Sequence, residues 1–269
     1  MHSAQSVESV KFVEAAPEEE DGCADVEVRV KDGRERRLVV ACAAGLVLVL
    51  VGIVAAFFVA VKPNTSSRGS SADGARYVAI FGSSVASGCC ATDNLGWWHA
   101  LAEALPSRVS VENYAISGAT AAGLLPVVVS TLDARFANET RTSVIVSLSL
   151  ANEGLFLTDD EDVVDSIAEQ YLVDLRQIAD AAAARVEGVV ALGSTYANGY
   201  ALDVHWRALV DVNARLRTWP YPVLDFYNAT AKAKDGRWRD DLEADPGHPN
   251  DLGHRRMFDA IDLALFSSR

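Results

Sequence analysis

The chain has 269 residues, 50% of them hydrophobic, a formal net charge of −13 and a pI near 4.8. That is enough for one well-filled domain and an appendage, and it lacks the basic footprint of a nucleic-acid binder. The acidic residues are spread along the chain and read as a device for solubility.

Residues 1–37 are polar, with an acidic run PEEEDG, and are expected to form a disordered cytoplasmic tail. Residues 38–61 read LVVACAAGLVLVLVGIVAAFFVAV, without one charge. As a helix this run spans roughly 36 Å, enough to cross a hydrocarbon core of roughly 30 Å. A cleaved signal peptide would have a shorter apolar core nearer the N-terminus, so a single transmembrane helix is expected. Arg29, Lys31, Arg34, Arg36 and Arg37 crowd its N-terminal side, against Lys62, Arg68 and Arg76 beyond it. Basic flanks stay cytoplasmic, which places the C-terminal part outside or in a lumen. Sequons at Asn64, Asn138 and Asn228 are candidate glycosylation sites on that side. Residues 62–75 form a Ser/Gly-rich linker.

From residue 76 to 269 short apolar runs alternate with helical stretches. Strands are expected at 77–81, 109–114, 143–150, 186–193 and 221–226, each rich in β-branched or aromatic residues. Helices are expected at 94–105, 161–184, 204–218 and 251–266, with a broken stretch within 119–137. Alternation of this kind predicts a three-layer α/β/α domain on a five-stranded parallel, flavodoxin-like sheet.

In such sheets ligands bind beyond the carboxyl ends of the strands, so the residues after each strand carry the functional reading. Gly82-Ser83-Ser84 follows the first strand, and a small-residue turn there exposes a hydroxyl as a nucleophile. Ser117-Gly118 follows the second, and a glycine lets a backbone N–H approach a ligand. Asn152 follows the third, where its amide can serve a developing oxyanion. Beyond the fifth, Asp245-Pro246-Gly247-His248-Pro249 sets a carboxylate beside an imidazole on one loop. Taken singly, each has a plainer reading, as a turn, a helix cap or a surface loop. Their order along the chain and shared placement at one sheet edge favour a catalytic site. His99 and His205 read as packing or surface residues, and Trp97 and Trp98 as core or pocket wall.

Cysteines number four: Cys23, Cys42, and the adjacent Cys89 and Cys90. They form neither a C-x-x-C metal spacing nor a disulfide framework. A vicinal Cys89–Cys90 disulfide would be strained, so two thiols packed as small hydrophobes near a loop are expected.

Together the blocks resemble the SGNH/GDSL hydrolases across residues 76–267. Gly82-Ser83-Ser84 stands for the family's Gly-Asp-Ser, Gly118 for its second-block glycine and Asn152 for its third-block asparagine. Asp245, His248 and Pro249 match its Asp-x-x-His-Pro block in full. The resemblance implies a carboxylic-ester hydrolase with Ser84, His248 and Asp245 as triad, and the Ser84 and Gly118 N–H groups with the Asn152 amide as oxyanion hole. It implies no metal or organic cofactor, and a small-molecule, lipid or glycan ester as substrate. Ser83 replaces the family aspartate, Leu150 the third-block glycine and Glu153 its aspartate. These departures leave Ser83 as an alternative nucleophile and an inactive binding module as an alternative function; a glycan O-acyltransferase is a further alternative, because related folds use the same triad to acylate sugar hydroxyls and a lumenal anchor suits that work.

Overall fold

The computed structural model of the protein describes residues 64–65, 76–137, 139 and 141–267. The expected tail, the transmembrane run, most of the linker and the Asn138 sequon lie outside the described residues. Among the described residues no helix is long and apolar enough to cross a membrane.

The described chain begins with β1 (Asn64–Thr65), which lies inside the expected linker and pairs antiparallel with Asn113 and Glu112. Then follow β2 (Arg76–Gly82), α1 (Ser84–Ser87), α2 (Trp97–Ala104), β3 (Val109–Asn113) and α3 (Ala121–Arg135). Next come β4 (Thr142–Ser147), α4 (Glu161–Ala183), β5 (Val190–Gly193), α5 (Asp203–Leu216) and β6 (Val223–Leu224). The chain ends through α6 (Phe226–Thr230), a ribbon of β7 (Glu243–Asp245) and β8 (His248–Pro249), α7 (Asp251–Asp259) and α8 (Ala264–Ser267).

The sheet order is β1-β3-β2-β4-β5-β6, and every pair but the first is parallel. The five parallel strands therefore run 2-1-3-4-5 in chain order, the flavodoxin-like order, with the switch point at β2. Its register runs from Tyr77 opposite Thr142 to Gly82 opposite Ser147. Right-handed crossovers on that order place α3, α4 and α5 on one face and α2 and α7 on the other. In keeping, α3 packs on α4, α4 on α5, and α2 on α7. Both faces of the sheet are covered, so β2 and β4 are apolar runs rather than alternating ones. Val78, Ala79, Ile80, Phe81, Val144, Ile145 and Val146 are all buried.

Helix α4 buries Val164, Ala168, Tyr171, Leu172, Leu175, Ile178, Ala179 and Ala182, a stripe at helical spacing. Asp160 caps it by accepting from the N–H groups of Asp162 and Val163. Burial of each leucine in this stripe stabilises the fold by about 2 kcal/mol.

Several element bounds differ from those expected. The stretch within 119–137 is one helix despite Pro126. Thr120 caps it by accepting from Gly123, and Leu124, Val127, Val128 and Leu132 bury its inner face. The strand expected from 186 begins at Val190, because carbonyls in the last turn of α4 still accept from Ala184, Arg185 and Val186. The strand expected over 221–226 is cut to two residues, because Pro222 has no N–H to donate and Asp225 caps α6. The last expected helix breaks at Ala260, and Asp262 accepts from Ala264 to start α8.

Candidate active site

The carboxyl end of β2 delivers Gly82, Ser83 and Ser84 into the first turn of α1. Gly82 is required by close approach. A Cβ there would meet the Ser147 carbonyl oxygen at 2.0 Å and the Ala86 Cβ at 2.6 Å. This contact lets α1 start at once and brings Ser84 to the sheet edge. Ser84 is half-buried, whereas Ser83 is fully buried and its Oγ has no hydrogen-bond partner among the described residues.

Asp245 and His248 face each other across a two-residue connection between β7 and β8. The Gly247 N–H donates to Asp245 Oδ1 at 2.7 Å. The Pro246 carbonyl accepts from Gly199 N (2.7 Å) and from the indole of buried Trp238 (3.0 Å), which fixes the turn on the domain. His248 Nδ1 donates to Asp245 Oδ1 at 2.9 Å and Oδ2 at 3.0 Å. The proton on Nδ1 leaves Nε2 as an acceptor, and the Ser84 hydroxyl donates to it at 2.9 Å. Hydroxyl, imidazole and carboxylate thus form one hydrogen-bonded line. Burial pushes the Asp245 carboxyl up, but the adjacent His248, the Gly247 N–H and the Cys90 thiol outweigh it and hold the pKa below the ordinary 3.8.

Gly118 stands in the left-handed region at φ +77, exposed, with nothing near the place a Cβ would take. Among the described residues no group accepts from the N–H of Ser84 or of Gly118. Asn152 Nδ2 donates one hydrogen to the Ala119 carbonyl at 3.0 Å, tying the loop after β4 to the loop after β3. Glu153 makes a second tie: its Oε1 accepts from Ala121 N, the first residue of α3, at 2.6 Å. Burial raises its pKa, against the opposing pull of that N–H.

Residues without a sequence signal also hold the site. Buried His254 of α7 donates from Nε2 to the Cys89 carbonyl (3.0 Å), and its Nδ1 accepts from Trp97 N (3.4 Å). Burial holds its pKa below 6.5. Asn113 joins the Ala86 carbonyl to Ala115 N, both at 2.9 Å. Asn250 caps α7 and donates to the Asp241 and Glu243 carbonyls, bracing β7. Cys89 and Cys90 are half-buried with their Sγ atoms 3.3 Å apart, too far for a bonded pair. Cys90 Sγ lies 3.5 Å from Asp245 Oδ2.

The remaining candidates lie elsewhere. His205 is buried, accepting from Leu202 N and bonded to the Thr158 carbonyl, a packing role as expected. Trp97 and Trp98 are core residues, and His99 packs edge-on against Trp98. Asn64 stands in β1, and Asn228 is an exposed residue of α6.

A parallel sheet thus carries a serine, a histidine and an aspartate in hydrogen-bonded line at its carboxyl edge, where ligands bind in sheets of this order. The chain belongs to the GDSL-like lipase/acylhydrolase family, whose model matches residues 80–256, and is an ester-hydrolysing enzyme. Solved structures agree in fold. A lipolytic protein of the G-D-S-L family from Veillonella parvula is 18% identical, with a TM-score of 0.55 over 69% of this chain and 96% of that one. A GDSL-like lipase from Bacteroides thetaiotaomicron is 15% identical, with a TM-score of 0.52 over 74% and 91%. No curated protein matches the chain.

Proposed function

We propose that the protein is a membrane-anchored serine esterase with Ser84 as nucleophile, His248 as general base and acid, and Asp245 as the carboxylate that orients it. The observation carrying this reading is the 2.9 Å hydrogen bond from Ser84 Oγ to His248 Nε2. Ser83 is the poorer nucleophile, because its hydroxyl is enclosed. Ser84 attacks the ester carbonyl as His248 takes its proton; His248 then returns a proton to the departing alcohol. Water repeats the sequence on the acyl-enzyme and regenerates Ser84. The N–H groups of Ser84 and Gly118 and the second hydrogen of the Asn152 amide serve the oxyanion. The tie from Asn152 to Ala119 and that from Glu153 to Ala121 hold the two loops in register before substrate arrives.

Residues 38–61 serve as the anchor in this reading, with the N-terminus cytoplasmic and the esterase domain lumenal or extracellular. The uncharged run and the basic cluster before it support that orientation. Two experiments test the proposal. Full-length protein given a panel of carboxylic esters should release acid and alcohol, and a sugar acceptor should not divert the acyl group. Protease applied to sealed vesicles should trim the tail and spare the esterase domain; digestion of that domain refutes the orientation.

A further inference from the structure

We propose that Cys89, Cys90 and His248 form a binding site for a thiophilic divalent cation such as Zn²⁺, and that filling it switches the esterase off. One donor atom from each of the three residues lies within 4.8 Å of the other two. Consecutive side chains of an extended segment point apart, but here the backbone turns. Gly88 and Cys90 both take left-handed conformations, at φ 97 and φ 68. A positive φ is uncommon in a residue with a side chain, and at Cys90 it accompanies a Sγ–Sγ distance of 3.3 Å.

Metal–ligand bonds of roughly 2.0–2.3 Å place neighbouring donors of a tetrahedral zinc about 3.5–3.8 Å apart. The two sulfurs already stand near that spacing. The segment is also held in place: Cys89 N donates to the Ser84 carbonyl at 3.0 Å, and His254 donates to the Cys89 carbonyl at 3.0 Å. The Asp245 carboxylate, 3.5 Å from Cys90 Sγ, adds negative charge that favours a cation. Two sulfurs and an imidazole select a soft or borderline metal over magnesium or calcium. All three donor residues are half-buried, so a small ion can reach them.

The chemistry is ligand exchange. Two S–H bonds break, two sulfur–metal bonds form, and the two protons pass to water. The imidazole lends a ring-nitrogen lone pair, and no electron is transferred. Water completes the coordination. With its imidazole turned to the metal, Ser84 loses its base. The cation is thus an inhibitor of this enzyme rather than a cofactor. The inhibition rests on the reading of His248 as base; the binding does not.

The test uses full-length protein and two metals. Cd²⁺ titration is read by thiolate-to-cadmium charge-transfer absorption in wild type and in Cys89→Ala/Cys90→Ala, both of which keep Cys23 and Cys42. The expected result is a difference band that saturates at one equivalent. Zn²⁺ titration is read by fluorophosphonate labelling, with each protein normalised to its own metal-free rate. Zn²⁺ should slow wild-type labelling about 10²-fold or more, the worth of a general base, and a chelator should restore it. The double variant should be slowed far less than wild type, because its base stays in place. Should the double variant not fold, Cys89→Ser and Cys90→Ser each remove one donor, and each should give a weaker band that no longer saturates at one equivalent. Absence of the difference band overturns the site. Equal inhibition of wild type and variant overturns the switch. If metal-free wild type does not label at all, the esterase reading has failed, and the cadmium band alone decides the site.

Discussion

Asn152→Ala separates the hydrogen bond that the amide makes in the folded protein from the one that the proposed mechanism asks of it. In the folded protein Asn152 Nδ2 donates to the Ala119 carbonyl at 3.0 Å. That carbonyl belongs to a half-buried residue, so water can replace the lost donor. The stability cost is that of one ordinary hydrogen bond, about 1 kcal/mol, which lowers Tm by roughly 2–4 °C in a domain of this size. In the proposed mechanism the second hydrogen of the amide acts only when the carbonyl oxygen becomes an oxyanion. Its loss raises the barrier by about 2.7–4 kcal/mol, a fall in kcat of about 10²–10³-fold. Because that bond strengthens in the transition state, KM should change far less. Asn152→Asp keeps the side-chain size but turns a carboxylate oxygen on the Ala119 carbonyl, so it should lose as much kcat and more stability. Steady-state hydrolysis of a chromogenic ester gives kcat and KM, and a thermal melt gives Tm. A folded Asn152→Ala enzyme with unchanged kcat would refute the oxyanion role. A loss confined to KM would assign Asn152 to ground-state binding instead.

Ser83→Ala removes a buried hydroxyl that has no partner among the described residues, so it should leave stability unchanged or raise it by about 1 kcal/mol, read as Tm. Gly82→Ala should lower both Tm and kcat, because its Cβ would collide with the Ser147 carbonyl and displace the turn carrying Ser84. His254 gives the fold an acid sensitivity. Its pKa is held below 6.5 in the folded protein, so as pH falls below 6.5 the unfolded chain takes up a proton before the folded one, and stability declines. Glu153, with a raised pKa, acts in the opposite direction as pH rises above its ordinary 4.5, so the readout is the difference between variant and wild type. His254→Gln should have a shallower loss of Tm than wild type on acidification from pH 7 to 5, and parallel curves would remove His254 from the account.

The parts of the fold legible in the sequence are those fixed by local pattern. β2 and β4 read as strands because an interior parallel strand needs an unbroken apolar run. The Asp245–His248 pair is legible because the two residues lie close in sequence and meet across a two-residue connection. What stayed hidden depends on contacts between distant segments. His254 follows Gly253 in an amphipathic helix, and its bond to the Cys89 carbonyl spans 165 residues. The tie from Glu153 to Ala121 spans 32. Glu153 therefore reads in the sequence as a departure from the family aspartate, although its longer side chain reaches the start of α3. The placement of Cys90 beside Asp245 is hidden for the same reason. The stretch within 119–137 forms one helix because the buried face of α3 outweighs the local penalty of Pro126.

The central claim is that Ser84, activated by His248, is the nucleophile. Covalent labelling by a serine-reactive fluorophosphonate, compared among wild type, Ser84→Ala, Ser83→Ala and His248→Ala, tests it most directly. Ser84→Ala should abolish labelling, and Ser83→Ala should keep most of it. His248→Ala should lose nearly as much as Ser84→Ala, because a serine hydroxyl is a poor nucleophile without its base, and combining Ser84→Ala with His248→Ala should cost little further activity. Labelling that survives in folded Ser84→Ala and vanishes in folded Ser83→Ala would move the nucleophile one residue back. Labelling that survives both would contradict the account.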